Sequence, residues 1–215
     1  MARSLEEFLD AVFLDIETTG IDPRYSELTL IALYEQDVEK RARLYVNDLH
    51  DAAETLRRLE HRAEQLGFDR LTVCPLGKFP EHAPFLSRIV TYNGIQFDLP
   101  FLAYHLPGVR DAMREWEHLD IYVHVAMPLR DRRLLRTPNL KLKTLFGYLQ
   151  VPRHPSVNQM RGEDAVRLWN HWKHLYDSEA LTSLCVYALE DVRCTRLLLE
   201  RLIAVQRGDV FMDGY

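Results

Sequence analysis

The spacing of apolar positions changes several times along this chain, and each change marks an element. Ala11 to Ile16 are apolar except for Asp15, which predicts a buried strand. LTLIALYE (28–35) and ARLYVN (42–47) predict two more strands, and the polar QDVEK between them suits a hairpin turn. The opening therefore reads as three successive antiparallel strands, after a short helix over 4–10. DAAETLRRLEHRAEQL (51–66) has helical spacing, with Asp51 as its N-cap.

Residues 67–87 hold three prolines and two glycines and read as an irregular loop insertion. SRIVTY (87–92) predicts a strand, Asn93-Gly94 a turn, and FDLPFLAYHL (97–106) a short helix with Asp98 at its cap. A further strand is expected from Asp120 to His124, and helices over 140–149 and 162–175. The last helix is the best defined. Ser178 is its expected cap, and Leu181, Leu184, Cys185, Ala188, Val192, Thr195, Leu199 and Leu202 form a stripe of 3.6-residue period, followed by Gly208. Strands first, then strands alternating with helices, predict a single α/β domain over 1–215. Its central sheet is mixed, with antiparallel strands followed by parallel ones, and helices flank it.

One detail breaks the apolar rule. In a strand, residues two apart share a face, so Asp15 and Glu17 are neighbours while Leu14 and Ile16 point the other way. Two adjacent buried carboxylates repel and lose hydration unless a cation or a proton compensates. Magnesium or manganese suits such an all-oxygen site. Asp37/Glu39 and Asp177/Glu179 repeat the Asp-x-Glu spacing, but in a polar turn and at a helix start, where acids need no special account.

Further oxygen ligands have to come from elsewhere. Asp98 is one candidate, since a helix cap and a metal ligand are compatible roles. Asp191 is another: it stands four residues after Tyr187 on one face of the last helix, and of the ten tyrosines only Tyr187 has Asp at that distance.

Together FLDIETTG (13–20), YNGIQFD (92–98) and YALED (187–191) resemble the motifs of the DEDD superfamily of 3′–5′ exonucleases, which includes polymerase proofreading domains and RNase D. Tyr187, with Val186 where the histidine branch would need His, places the resemblance with the tyrosine branch. The wider sequence is most similar to bacterial ribonuclease H-like exonuclease domains. The resemblance implies a ribonuclease H-like fold and metal-dependent hydrolysis from a nucleic-acid 3′ end, single-stranded and DNA or RNA, releasing nucleoside 5′-monophosphates.

It also implies roles. Asp15 would bridge two divalent ions, Mg2+ or Mn2+. Glu17 and Asp191 would complete one site and Asp98 would serve the other. Tyr187 would orient the attacking water, and Asn93 with Thr18 and Thr19 would lie beside the terminal nucleotide. Two ions about 4 Å apart can lower the water's pKa and neutralise both ends of an in-line displacement. Tyrosine, with an ordinary pKa of about 10, is a positioning group rather than a base. A non-catalytic nucleic-acid-binding module and an endonuclease of the same fold are the rival readings.

Charge and composition change this picture little. A net charge of −5 argues against a general nucleic-acid coat protein but not against an enzyme that grips phosphates through metal ions. Arg130, Arg132, Arg133, Arg136, Lys141 and Lys143 form a basic stretch able to track a phosphate backbone, with a solvated face as the plainer account. Asp120 reads as a cap that could also assist the site.

His171 and His174 lack further ligands in sequence, so no zinc site is expected. No GxxxxGK[ST] loop supports a nucleotide-hydrolysing reading. Three scattered cysteines suit reduced thiols in a cytoplasmic protein. The opening MARSLEEFLDAVFL lacks the apolar run of a signal peptide, and no stretch reaches membrane-spanning length.

Overall fold

Strand β1 (Val12–Thr18) lies inside the sheet, with neighbours on both sides. In this computed structural model, residues 4–36, 40–49 and 53–209 are described. A 3-10 turn over Leu5–Phe8 leads into β1, β2 (Leu28–Glu35) and β3 (Arg41–Val46). β1 pairs antiparallel with β2, and β2 with β3. The expected Asp51 cap and the centre of the 36–40 turn, with Asp37 and Glu39, lie outside the described residues.

Helix α1 (Ala53–Gln65) follows, then strand β4 (Arg70–Pro75), which pairs in parallel with β3. This corrects the expectation of an irregular loop over 67–87. Leu71 and Val73 are only partly buried on an edge strand that ends at Pro75, and Gly77 and Pro80 lie just beyond it, so the strand pattern is short and weak. The rest of that segment is also ordered: a 3-10 turn over Leu76–Lys78, helix α2 (Phe79–His82) and another 3-10 turn over Ala83–Phe85.

Strand β5 (Arg88–Thr91), helix α3 (Asp98–His105), helix α4 (Arg110–Glu115) and strand β6 (Glu117–Asp120) come next. β5 runs parallel to both β1 and β6, which completes a six-stranded mixed sheet of order β4-β3-β2-β1-β5-β6. The strand expected from Asp120 to His124 stops at Asp120 and becomes a π-helical turn over Tyr122–Ala126. The Asp120 carboxylate accepts the Tyr122 and Val123 amides at 3.0 and 3.4 Å, turning the backbone despite the β-branched residues that follow.

Helices α5 (Met127–Asp131), α6 (Leu142–Tyr148), α7 (Gly162–Leu175) and α8 (Ser178–Arg207) close the chain. The cap of α8 is Asp177, not Ser178: its side chain accepts the Glu179 and Ala180 amides, and Ser178 is already helical. At the far end Gly208, at φ 80°, takes the left-handed turn that glycine adopts without strain.

The alternation along β1 divides the core. Phe13 packs on the face covered by α1, α7 and α8 with Leu30, Leu59, Trp169, Leu184 and Ala188. Leu14 and Ile16 pack on the opposite face with Ile31, Leu33, Phe101 and Leu102. Full burial of side chains of this size contributes about 1.5–3 kcal/mol each. Asp15 and Glu17 therefore fall on the α8 face, at positions where the alternation calls for apolar side chains.

A candidate metal-dependent nuclease site

The carboxylate oxygens of Asp15, Glu17 and Asp191 lie within 4.8 Å of one another. Strand β1 supplies the first two and α8 the third. Asp15 is partly exposed, whereas Glu17 and Asp191 are buried, at 8% and 6% exposure. Asp98 stands outside this group of three, but its charge acts on both Asp15 and Glu17. It is the first residue of α3 rather than the cap, which is Phe97, and it too is buried. The backbone of Asp98 itself and of Ile16 favours its charged form, against the effect of burial.

Burial raises every one of these acids, and crowding within the cluster adds to it for Asp15 and Glu17. Desolvation is the leading cause for Asp15, followed by the charges of Asp98, Glu17 and Asp191. Glu17 is raised by burial and then by Asp191 and Asp98. Burial pushes Asp98 up to about 7. Asp191 is raised by burial against the opposing pull of Arg153. Such a set demands protons or cations. All-oxygen donors from three side chains, two of them buried, suit a hard divalent ion, so these residues fit the metal that the sequence implies.

Tyr187 lies one turn before Asp191 and is 5% exposed. Its hydroxyl acts on the Asp191 carboxylate and lowers its pKa. Burial, then the charges of Asp191, Glu17 and Asp15, pushes its pKa far above the ordinary phenol value, so it remains a neutral donor. Lys143, near the start of α6, places Nζ 5.3 Å from the centre of the Tyr187 ring, and its charge lowers the pKa of Glu17 and Asp191. Lys141 precedes α6 and is exposed. Arg130, Arg132, Arg133 and Arg136 also face solvent.

The loops beside the cluster are firmly built. A register shift between Glu17 and Thr18 ends the regular β1–β2 pairing. The Thr18 hydroxyl donates to the Gly20 carbonyl at 2.7 Å, and Thr19 Oγ1 accepts the Glu27 amide at 2.8 Å. Asn93 adopts φ 63°, the left-handed conformation asparagine tolerates, with its Oδ1 buried and without a partner among the described residues.

The fully buried Asp120 carboxylate accepts the amides of Asn93 and Ile95 at 2.9 and 3.0 Å, in addition to those of Tyr122 and Val123. Its cap role is thus observed, and it braces the loop that leads to Asp98. Gly94 follows from space: a Cβ there would sit 2.2 Å from Thr91 Oγ1. His171 and His174 are exposed; among the described residues the only potential metal cluster of at least three His, Cys, Asp or Glu side chains is the acidic one.

Two residues beside the cluster were given no role by the sequence reading. Arg153, in the segment between α6 and α7, places Nη1 2.5 Å from Asp191 Oδ1, with its side chain 4% exposed. Glu190, next to Asp191, is fully buried and binds Arg193 and the His154 amide. Arg153 lies in VPRHP, a stretch stiffened by two prolines, which by itself does not say where the side chain goes.

The sequence model of the RNase_H superfamily matches residues 12–203. The chain belongs to the RNase_H superfamily. Its mixed sheet with flanking helices is the α/β arrangement of ribonuclease H-like nucleases. This RNase_H superfamily chain is also similar in fold to a family B DNA polymerase from the hyperthermophilic archaeon Pyrobaculum calidifontis. The TM-score is 0.53 at 18% identity, over 90% of this chain and 24% of the polymerase chain. It thus spans about a quarter of that polymerase. A structure described as the apo form of a nuclease aligns over 98% of this chain and 92% of its own, at 16% identity and a TM-score of 0.37. No curated protein matches the sequence. Among the described residues no helix is long and apolar enough to cross a membrane.

Proposed function

We propose that this protein is a metal-dependent 3′–5′ exonuclease that shortens DNA or RNA from a single-stranded 3′ end and releases nucleoside 5′-monophosphates. The observation that carries this reading is the convergence of Asp15, Glu17 and Asp191 within 4.8 Å, with Asp98 and Tyr187 beside them. Asp15, Glu17 and Asp191 would hold one divalent cation, and Asp15 with Asp98 a second. Mg2+ or Mn2+, when bound, supplies the acidity that makes water a nucleophile and the charge that stabilises the leaving 3′ oxygen.

The protein's own groups do the rest. Tyr187, kept neutral, donates its hydroxyl and fixes the orientation of Asp191 and of the water. The braced loops bearing Thr18, Thr19 and Asn93 flank the terminal nucleotide. Lys143, and the exposed Lys141 with less restraint, meet the phosphates. A cytoplasmic location is part of this proposal.

The test is degradation of 3′- and 5′-labelled DNA and RNA oligonucleotides with Mn2+ and with chelator, alongside a closed circular substrate. Stepwise, metal-dependent loss from the 3′ end is expected. Cutting of the circle would make the protein an endonuclease, and binding without cleavage a nucleic-acid-binding module.

A further inference from the structure

Arg153 brings a positive charge into direct contact with the acid cluster, and the backbone on either side of it is fixed to α8. The Pro152 carbonyl accepts Arg193 Nη2 at 2.8 Å and the Cys194 thiol at 3.5 Å. The His154 amide donates to Glu190 Oε1 at 2.5 Å, and Glu190 is itself held by Arg193 Nε and Nη2 at 2.7 and 2.8 Å. Glu190, Arg193 and Cys194 thus clamp both neighbours of Arg153, while Asp191 takes its side chain. An arginine held in this way is a built part of the site.

Its hydrogen bonding is incomplete. Nη1 is spent on Asp191, but Nε and Nη2 are buried without a partner among the described residues. The guanidinium lies 5.2 Å from the centre of the Phe146 ring and 5.8 Å from that of Tyr187. Nearby, Lys143 Nζ is likewise buried and without a hydrogen-bond partner. Burying a guanidinium with two unused donors is unfavourable unless a strong opposing charge holds it. That charge is the acid cluster, and the carboxylate contacted belongs to the set suited to a cation.

We propose that Arg153 is the resident counter-ion of this cluster, and that a divalent cation competes with it for Asp191. The inference rests on reading the cluster as a metal site, though not on which nucleic acid is cut. Two consequences follow from charge and geometry. Metal affinity at Asp191 is held down by Arg153. When a cation takes Asp191, the planar fork is left with unpaired N–H groups beside the reacting centre, an arrangement that suits phosphate oxygens.

The test is calorimetric titration of Mn2+ into chelator-stripped full-length protein, comparing wild type with Arg153→Met and Lys143→Met. Arg153→Met is expected to bind Mn2+ about tenfold tighter, and Lys143→Met to tighten by less, because its Nζ neutralises the carboxylates without an ion pair. Unchanged or weaker binding in Arg153→Met overturns the proposal, as does equal tightening in both variants. Weaker binding would mean that the arginine only orients Asp191. If Arg153→Met does not fold, Arg153→Gln, which keeps a polar side chain but removes the charge, should still bind Mn2+ tighter than wild type; affinity at or below wild type overturns the idea.

Absence of Mn2+ binding in every form overturns both this inference and the metal-site reading. A protein that binds Mn2+ in the expected order yet never shortens an oligonucleotide contradicts the exonuclease reading alone.

Discussion

Glu190 and Asp191 are consecutive on α8 and hold two consecutive residues of one loop: Glu190 accepts the His154 amide, while Asp191 accepts the Arg153 side chain. The acid at the centre of the proposed chemistry is therefore flanked by one that holds its surroundings in place. Glu190 has no exposure and satisfies both Arg193 and the loop, so its removal leaves buried donors unpaired. Glu190→Ala is expected to lower stability by about 2–4 kcal/mol, read as a fall in denaturation midpoint at constant slope. A change within experimental error would show that the loop is not anchored through this side chain.

The site's second loop depends on the absence of a side chain. Gly94→Ala would force a methyl group to 2.2 Å from Thr91 Oγ1, and Thr91 is itself tied to His118 Nε2 at 2.8 Å. A loss of about 1–3 kcal/mol is expected in denaturant unfolding, as for overpacking elsewhere. Pairing Gly94→Ala with Thr91→Ser removes one methyl of the clash but leaves the hydroxyl, so recovery should be partial. Full stability of Gly94→Ala alone would contradict the tight turn.

Asp98 gives the pH dependence a sign. Its folded pKa, about 7, lies above the ordinary 3.8 because of burial, so the folded state binds the proton more tightly than the unfolded one. Its contribution is therefore fully present below about pH 4 and is lost as pH rises through about 7. With chelator present, Asp98→Asn should gain stability relative to wild type across that window, by an amount on the order of a few kcal/mol. Thermal unfolding at several pH values measures this. A wild-type-to-variant difference that does not move with pH would contradict the buried, raised carboxyl.

Tyr187→Phe keeps the buried ring and removes the hydroxyl that acts on the Asp191 carboxylate. The fold should survive, judged by circular dichroism and denaturation midpoint. Hydrolysis should fall about 10–100-fold, the usual cost of losing a group that orients a metal ligand. A rise in the Michaelis constant alone, with turnover intact, would point instead to a role in holding substrate.

Much of the fold was legible because the buried elements repeat their own periods. The alternation through β1 predicted which face carries Asp15 and Glu17, and the 3.6-residue stripe of α8 placed Tyr187 and Asp191 on one face. β4 was lost because an edge strand buries little and so carries little pattern. The turn after Asp120 was lost because its cause is a side chain capping its own backbone, which outweighs the strand preference of Ile121, Tyr122 and Val123. Arg153 was not legible for a different reason: nothing local distinguishes an arginine that faces solvent from one folded back onto α8. Its position is a tertiary fact, set by contacts across 38 residues of sequence.

The most direct test of the central claim, that the carboxylates meeting at β1 and α8 carry metal-dependent hydrolysis, is the degradation of a 3′-end oligonucleotide by wild type and by Asp15→Asn in Mn2+. Wild type is expected to shorten the strand stepwise, and Asp15→Asn to fold normally and leave it intact. An Asp15→Asn protein that still cleaves at the wild-type rate, with the same dependence on metal, would contradict the account.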